Sequence, residues 1–575
     1  MKKKYFLLCI NIILTLTGCE SKHADMVIHN GTIYTMSDYN PIAETVIVKD
    51  GKIMNVGNQI NYRSYIGEKT KILDLNGATM IPGFIEGHGH FMGLGYAKMR
   101  LDLSVVDSYD ELVDMVAEAV EKAPPGEWIL GRGWHQSKWL PTPYPLVKGF
   151  QTHDKLSAVS PNNPVWLTHA SGHAGFANAK AMEIGGITAE TEFGFGGEII
   201  KNLRNQPTGI FNERAQNLIS KHVESPSYDA GSKSDSDTDQ QNSSLALELA
   251  VKECLENGIT SFHDAGAGKE SIQTFRDGIN SNKLKIRLYV MLTSRDPKLL
   301  EEWYKNGPEI GTGNDYLTIR SIKLNADGAL GSRGAWLLNE YTDRPGHFGM
   351  ATQSIDYVYE VSKNGLKHGF QVNAHAIGDR ANREILNQYQ KVFNEYPEKA
   401  NDLRWRIEHA QHIDPEDIPR FGELGVIPSI QGIHMSSDRP WAINRLGRTR
   451  IVESAYVWRD LIDHGAVIVN GTDVPVEPID PLASFYASVT RKTLKGVPNN
   501  GYEPKQKMTR LEALKSYTIN AAYAAFEEKI KGSIEIGKYA DFTVLSKNII
   551  TIPENQLLNT KVLYTIINGK IEYKN

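Results

Sequence analysis

Cysteine is scarce in this chain. Three occur in 575 residues, Cys9, Cys19 and Cys254. The first two fall in or at the end of an N-terminal apolar run, so only Cys254 remains for the folded body and no internal disulfide can form there. Cys254 lies in a helical pattern, LALELAVKECLENG, as a small apolar residue. An excess of positive charge is also missing. The net charge is −5, with both signs interspersed, which gives no electrostatic case for nucleic acid. After the N-terminus no apolar run reaches the length needed to span a bilayer. Hydrophobic residues at 41% and charged residues at 23% exclude wholesale disorder.

The N-terminus has the layout of an export signal. Lys2, Lys3 and Lys4 precede a short apolar stretch from Tyr5 to Leu16, and the run closes Leu16-Thr17-Gly18-Cys19. That ending resembles the bacterial lipobox. Residues 1–18 then read as a lipoprotein signal peptide, and residues 19–24 as a lipidated Cys19 with its tether. Acyl chains on Cys19 would anchor the protein to a membrane. Glu20, rather than Asp, after the cysteine resembles the pattern that sorts to an outer membrane facing the periplasm.

Short alternating stretches run from Asp25 to Met80, with Asn30-Gly31 and Asp50-Gly51 as hairpin turns. The C-terminus repeats the style in GSIEIGKYADFTVLSKN and KVLYTIINGKIEY. Residues 25–80 and 535–575 are therefore expected to form one composite β-sandwich. Between them, eight short apolar runs alternate with helical stretches: 80–87, 258–265, 285–292, 319–327, 370–376, 404–410, 425–431 and 466–473. Eight β–α alternations in a chain well above about 250 residues predict an α/β fold, a (β/α)8 TIM barrel over 81–534. The gap after the first strand is too long for one helix and predicts an inserted subdomain at about 100–250. Within it, DAGSKSDSDTDQQNSS (229–244) reads as an exposed polar loop.

Chemistry-bearing residues fall at the ends of these strands. His88 and His90 follow the first strand as His-Gly-His, where i and i+2 share a side. Lys323 lies in the fourth strand, His375 ends the fifth, His409 the sixth and Asp473 the eighth. The C-terminal strand ends form the active-site face of such barrels. Singly, each has a bland reading: surface or core histidines, a Lys323–Asp327 salt bridge, Asp473 as a helix cap. Together they describe a ring of donors. A buried Lys323 fits there if it is neutralised, paired or converted to a carbamate that can bridge two metals.

The motifs IPGFIEGHGH, GITSFHDAG, IKLNADGALGSRGA, NAHAIGDRAN, RIEHAQH, NGTDVPVEPIDPL and GSIEIGKYADFTVL, in that order, resemble the amidohydrolase superfamily. More narrowly they are similar to its YtcJ-like branch, which includes N-substituted formamide deformylase. The likeness runs from about residue 25 to the C-terminus. It implies metal ligands at His88, His90, Lys323, His375, His409 and Asp473. It also implies a substrate pocket near GRGWHQSKW, where His135 stands in place of the Asp or Asn common in the family, and near HASGHAGFAN, where His173 is the better candidate than His169. Asp327 and Arg333 would order Lys323 and the substrate end.

The expected reaction is metal-dependent hydrolysis of a C–N bond in a small amide-type molecule. One or two divalent ions, zinc by ligand type, activate water, and Asp473 serves as general base and acid. A non-catalytic small-molecule-binding lipoprotein, and a metal-dependent deaminase or esterase on the same scaffold, are the alternatives. The oligomeric state stays open, a homodimer among the options.

Overall fold

The computed structural model describes residues 23–223 and 237–575. The signal-peptide and Cys19 readings fall outside them. No helix among the described residues is long and apolar enough to cross a membrane.

Eight parallel strands in sequential order form the barrel: β1 (Phe84–Gly89), β2 (Ile259–Ala267), β3 (Arg287–Thr293), β4 (Leu317–Asn325), β5 (Gln371–Ala376), β6 (Arg406–His409), β7 (Ile427–Ile430) and β8 (Val469–Asn470). Where β8 meets β1 the ring closes through backbone: Asp473 N–H donates to the His88 carbonyl at 2.8 Å, and His90 N–H to the Val474 carbonyl at 2.7 Å. Gly471 makes this approach feasible, since a Cβ there would stand 2.6 Å from the His88 nitrogen.

Period-two alternation sorts each strand. Val290 and Leu292, Ile322 and Leu324, Val372 and Ala374, and Ile407 join an apolar core shared with helix residues such as Phe275, Val358, Ile385 and Phe421. Burying each large side chain of this kind is worth roughly 1.5–3 kcal/mol. The alternate positions, Ser321 and Lys323, Asn373 and His375, Arg406 and Glu408, are buried polar residues of the barrel interior.

Both chain ends build a second, eight-stranded sheet. Phe542–Leu545 pairs antiparallel with Thr79–Pro82, which runs parallel to Met26–Tyr34. Met26, Ile28, Val46, Met80, Phe542 and Ile566 share its core. The run 80–87, expected as one barrel strand, is thus divided. Thr79–Pro82 belongs to the terminal sheet and β1 begins at Phe84, because the chain changes sheets at Gly83, where any Cβ would collide with Thr260.

The insertion after β1 forms a six-stranded sheet around Trp134, Leu167, Phe176 and Ile210. The expected loop at 229–244 needs correction in its second half. From Asp237 the chain is already in the helix Asp237–Glu256. Its C-terminal part buries Ala246, Leu247, Ala250 and Cys254. Propagation from that packed end carries the helix back into the polar stretch, against composition.

Candidate active site

At the mouth of the barrel one donor atom each from His88, His409 and Asp473 lies within 4.8 Å of the others. His90 Nε2 is 3.1 Å and His88 Nε2 3.5 Å from Asp473 Oδ1. The rings continue as a chain: His88 to His409 at 4.8 Å between centroids, His409 to His375 at 4.4 Å, and His375 to His173 at 5.1 Å.

Two of these residues get there by unusual backbone. Glu408 faces inward and contacts His88, so strict alternation would turn His409 away. A left-handed φ of 76° at His409 and 41° at Ala410 turns the ring back. Asp473 sits three residues past β8 with φ 57°. Non-glycine residues held so cost roughly 1–3 kcal/mol each, and such strain gathers at functional sites.

Neighbours fix the imidazoles from behind. His88 Nδ1 bonds the Glu408 carboxylate. Arg406 grips Glu408 through Nε at 2.7 Å and Nη2 at 2.9 Å, and also donates to the Gly87 carbonyl and Ser429. Burial would raise the Glu408 pKa, but Arg406 and His88 outweigh it and hold the carboxylate ionised. His409 Nδ1 donates to Gln431 Oε1 at 2.7 Å, which leaves Nε2 for the cleft. His375 Nε2 stands 3.3 Å from Asp327 Oδ1.

Electrostatics favours neutral imidazoles beside an anion. Burial lowers the His90 pKa to about 4 and pushes His375 and His409 well below the ordinary range. Burial opposes ionisation of Asp473, but the close approach of the His88 and His90 ring nitrogens outweighs it and depresses its pKa. Lys323 is buried and shifted downward by burial, with Glu408 and Asp473 pulling the other way. It makes no salt bridge with Asp327. That carboxylate instead accepts from the Trp336, Ile377 and Gly378 N–H groups at 2.8, 3.0 and 2.8 Å. Asp264, unremarked in the sequence, is pushed up to about 7 by burial and feels both His88 and Lys323.

A cleft opens over the donors and is lined by His375, His409, Asp473, His173 and His135 among others. His173 Nδ1 is 2.7 Å from Glu213. Burial opposes charge on His173, yet Glu213 outweighs it and raises the pKa. His169 is turned away, bonded to Gln136 and Ser171. Asp327 and Arg333 do not line the cleft. Arg333 bonds Asp343 and the Lys148 carbonyl, so its expected place beside Lys323 is corrected: the loop turns its buried side chain to Asp343 instead.

The residues fit a divalent cation. His88 Nε2 and Asp473 Oδ1 are buried, face each other and make no hydrogen bond of acceptable geometry, while neutral imidazole and carboxylate are the ligand forms.

Residues 71–573 match the model of the amidohydrolase family. The chain belongs to that family. This amidohydrolase is 32% identical to a putative amidohydrolase, YtcJ, of Bacillus subtilis, over 95% of its own length and 99% of the relative's. It is 27% identical to N-substituted formamide deformylase of Arthrobacter pascens, over 96% and 98%. An uncharacterized metal-dependent hydrolase from Pyrococcus horikoshii superposes with a TM-score of 0.70 at 25% identity, covering 92% of this amidohydrolase and 99% of that structure.

Sequence reasoning passed over Glu408, Gln431 and Glu213, which hold His88, His409 and His173. Glu408 was visible within RIEHAQH, directly before a candidate ligand. Gln431 and Glu213 carry no local signal, because the contacts they make span 22 and 40 residues.

Proposed function

We propose that this metal-dependent amidohydrolase cleaves a carbon–nitrogen bond of amide or formamide type in a small molecule. The observation that carries the reading is the convergence of the His88, His90 and His409 imidazoles on Asp473 at the barrel mouth. The relative that deformylates N-substituted formamides lends support. His88, His409 and Asp473 would hold one divalent ion, zinc by donor type, with His90, His375 and a carbamylated Lys323 as further ligands. Such an ion lowers the pKa of water from 15.7 to about 7 and polarises a carbonyl.

The chain's own residues supply the rest. Asp473 accepts a proton from the attacking water at its carboxylate and returns it to the leaving nitrogen, a contribution of roughly 10²–10⁴-fold. His173, whose pKa Glu213 raises, donates a hydrogen bond to the substrate carbonyl. Leu330, Ile377, Val476 and Trp441 line the cleft and keep bulk water from the reacting groups.

Metal content measured with and without bicarbonate, followed by a panel of N-substituted formamides, amides, esters and amino-heterocycles, tests this. Turnover of esters or deamination with every amide left intact would reject the C–N hydrolase reading. Equal metal content without bicarbonate would reject the carbamate. We further propose a lipid on Cys19 and residence at the outer membrane. A Cys19→Ala protein that still sediments with membranes would end that proposal.

A further inference from the structure

The helix Gly432–Glu453 leaves β7 at the mouth of the barrel and forms one wall of the cleft. His434, Asp438 and Trp441 stand at i, i+4 and i+7, one face of a helix, and all three line the cleft. Glu477, from the segment after Asp473, faces them. The Ser437 hydroxyl lies between the two carboxylates, 3.3 Å from Asp438 and hydrogen-bonded to Glu477. Gln411 Nε2 reaches Asp438 at 3.4 Å.

Neither Asp438 nor Glu477 has an ion-pair partner among the described residues. Lys138 also lines the cleft, exposed, and makes no bridge to either. Burial, with Glu477 adding to it, pushes Asp438 up to about 6 against the pull of His434 and Lys138, as expected of a carboxylate without a counter-ion. Two further groups point independently to a ligand. Trp441, 8% exposed, has its Nε1 buried with no partner, and His434, 6% exposed, has Nε2 likewise. Buried polar atoms left so are costly unless something bound satisfies them.

We infer that this end of the cleft is a specificity subsite for a cationic nitrogen, an ammonium carried by the substrate on an aromatic or alkyl arm. The proposal rests on the C–N hydrolase reading and names its substrate class. The arm lies along Leu330, Ile377, Val476 and the Trp441 indole, and the ammonium sits between Asp438 and Glu477. His434 Nε2 can accept a further N–H from the ammonium, and the Trp441 Nε1–H is free to donate to an acceptor atom where the arm carries one. With the scissile bond at Asp473 and the charge at Asp438, the substrate spans the cleft from one wall to the other.

The test uses the purified full chain and two readouts. Calorimetric binding of benzylammonium, benzyl alcohol and benzoate reads the subsite without any turnover. Hydrolysis of N-benzylformamides carrying a para aminomethyl, methyl or carboxylate group reads it in the reaction. We expect benzylammonium to bind at least tenfold tighter than the other two, and the aminomethyl substrate to lead the methyl one in kcat/KM by a similar factor. In Asp438→Asn and in Glu477→Gln both ratios should collapse towards one, the half-exposed Glu477 guarding against a folding defect at Asp438. Equal binding of benzyl alcohol, preference for benzoate, or ratios unmoved in both variants would overturn the subsite. Hydrolysis with no ammonium preference overturns the subsite alone. Benzylammonium binding that depends on Asp438, with no formamide or amide of the panel cleaved, upholds the subsite and rejects the reaction.

Discussion

At the β1–β6 end of the cleft, the imidazoles are tied from behind: His88 by Glu408 and Arg406, His409 by Gln431, His173 by Glu213. At the helix end, Asp438 and Glu477 have no counter-ion, and Trp441 Nε1 and His434 Nε2 no partner, among the described residues. The first arrangement holds donors at fixed angles before anything binds, as bond-making requires. The second leaves hydrogen-bonding capacity unspent, which is how a site discriminates between substrates that have and lack the matching polar group. The contrast separates chemistry from recognition within one cavity.

The largest expected effect breaks the tied end at its centre. Asp473→Asn keeps a ligand oxygen but loses the proton carrier, so kcat should fall by about 10³-fold while metal content stays near that of the parent. A near-parental rate would remove Asp473 from its role. Next, Glu408→Gln keeps the shape behind His88 but removes the charge that orients it. Metal affinity should drop roughly 10–100-fold, measured by chelator competition. Unchanged affinity would mean that His88 is positioned by packing alone.

His412 asks whether an orphaned polar group by itself implies recognition. Both its ring nitrogens are buried without partners, yet it does not line the cleft. Burial lowers its pKa to about 3. The unfolded chain therefore binds a proton from about pH 6.5 downwards while the folded one refuses it. Its contribution is intact above pH 6.5 and is lost as pH falls towards 3. His412→Phe should relieve about 2–3 kcal/mol of acid destabilisation near pH 4.5, read by denaturant titration at pH 7.5 and 4.5. An acid limb identical to the parent's would show that another group controls it. The smallest effect sharpens the untied end. Trp441→Phe keeps the apolar wall and deletes one donor, so KM for formamides should rise about three- to tenfold with kcat little changed. A change in kcat alone would assign the indole to the reaction.

Much of the fold could be read from residue order, and the reasons are local. Period-two runs and the Asp50-Gly51 turn marked the strands, and strand-end histidines marked the mouth; Asn30-Gly31, expected as a second hairpin turn, is instead a register irregularity inside the single strand Met26–Tyr34, whose two halves both pair with Ile42–Lys49. The same logic misjudged residues whose placement depends on a distant neighbour. Arg333 lies six residues beyond Asp327 yet is drawn to Asp343, and Lys323 makes no bridge to Asp327, whose oxygens the Trp336, Ile377 and Gly378 amides take up. The first barrel strand was placed too early because nothing local shows the change of sheet at Gly83. Asp438 and Trp441 went unnoticed because an acid and an aromatic on a helix are ordinary until the opposite wall, Glu477 and Val476, is known to face them.

By itself the sequence determined the alternation of strands and helices, the pairing of both chain ends and the identity of the donor residues, since each is written in spacings of a few residues. Tertiary structure alone decided which donors meet, which carboxylates are neutralised and which are left for a ligand. Those outcomes depend on burial and on contacts across hundreds of residues, such as His88 with Glu408 across 320, which no local pattern encodes.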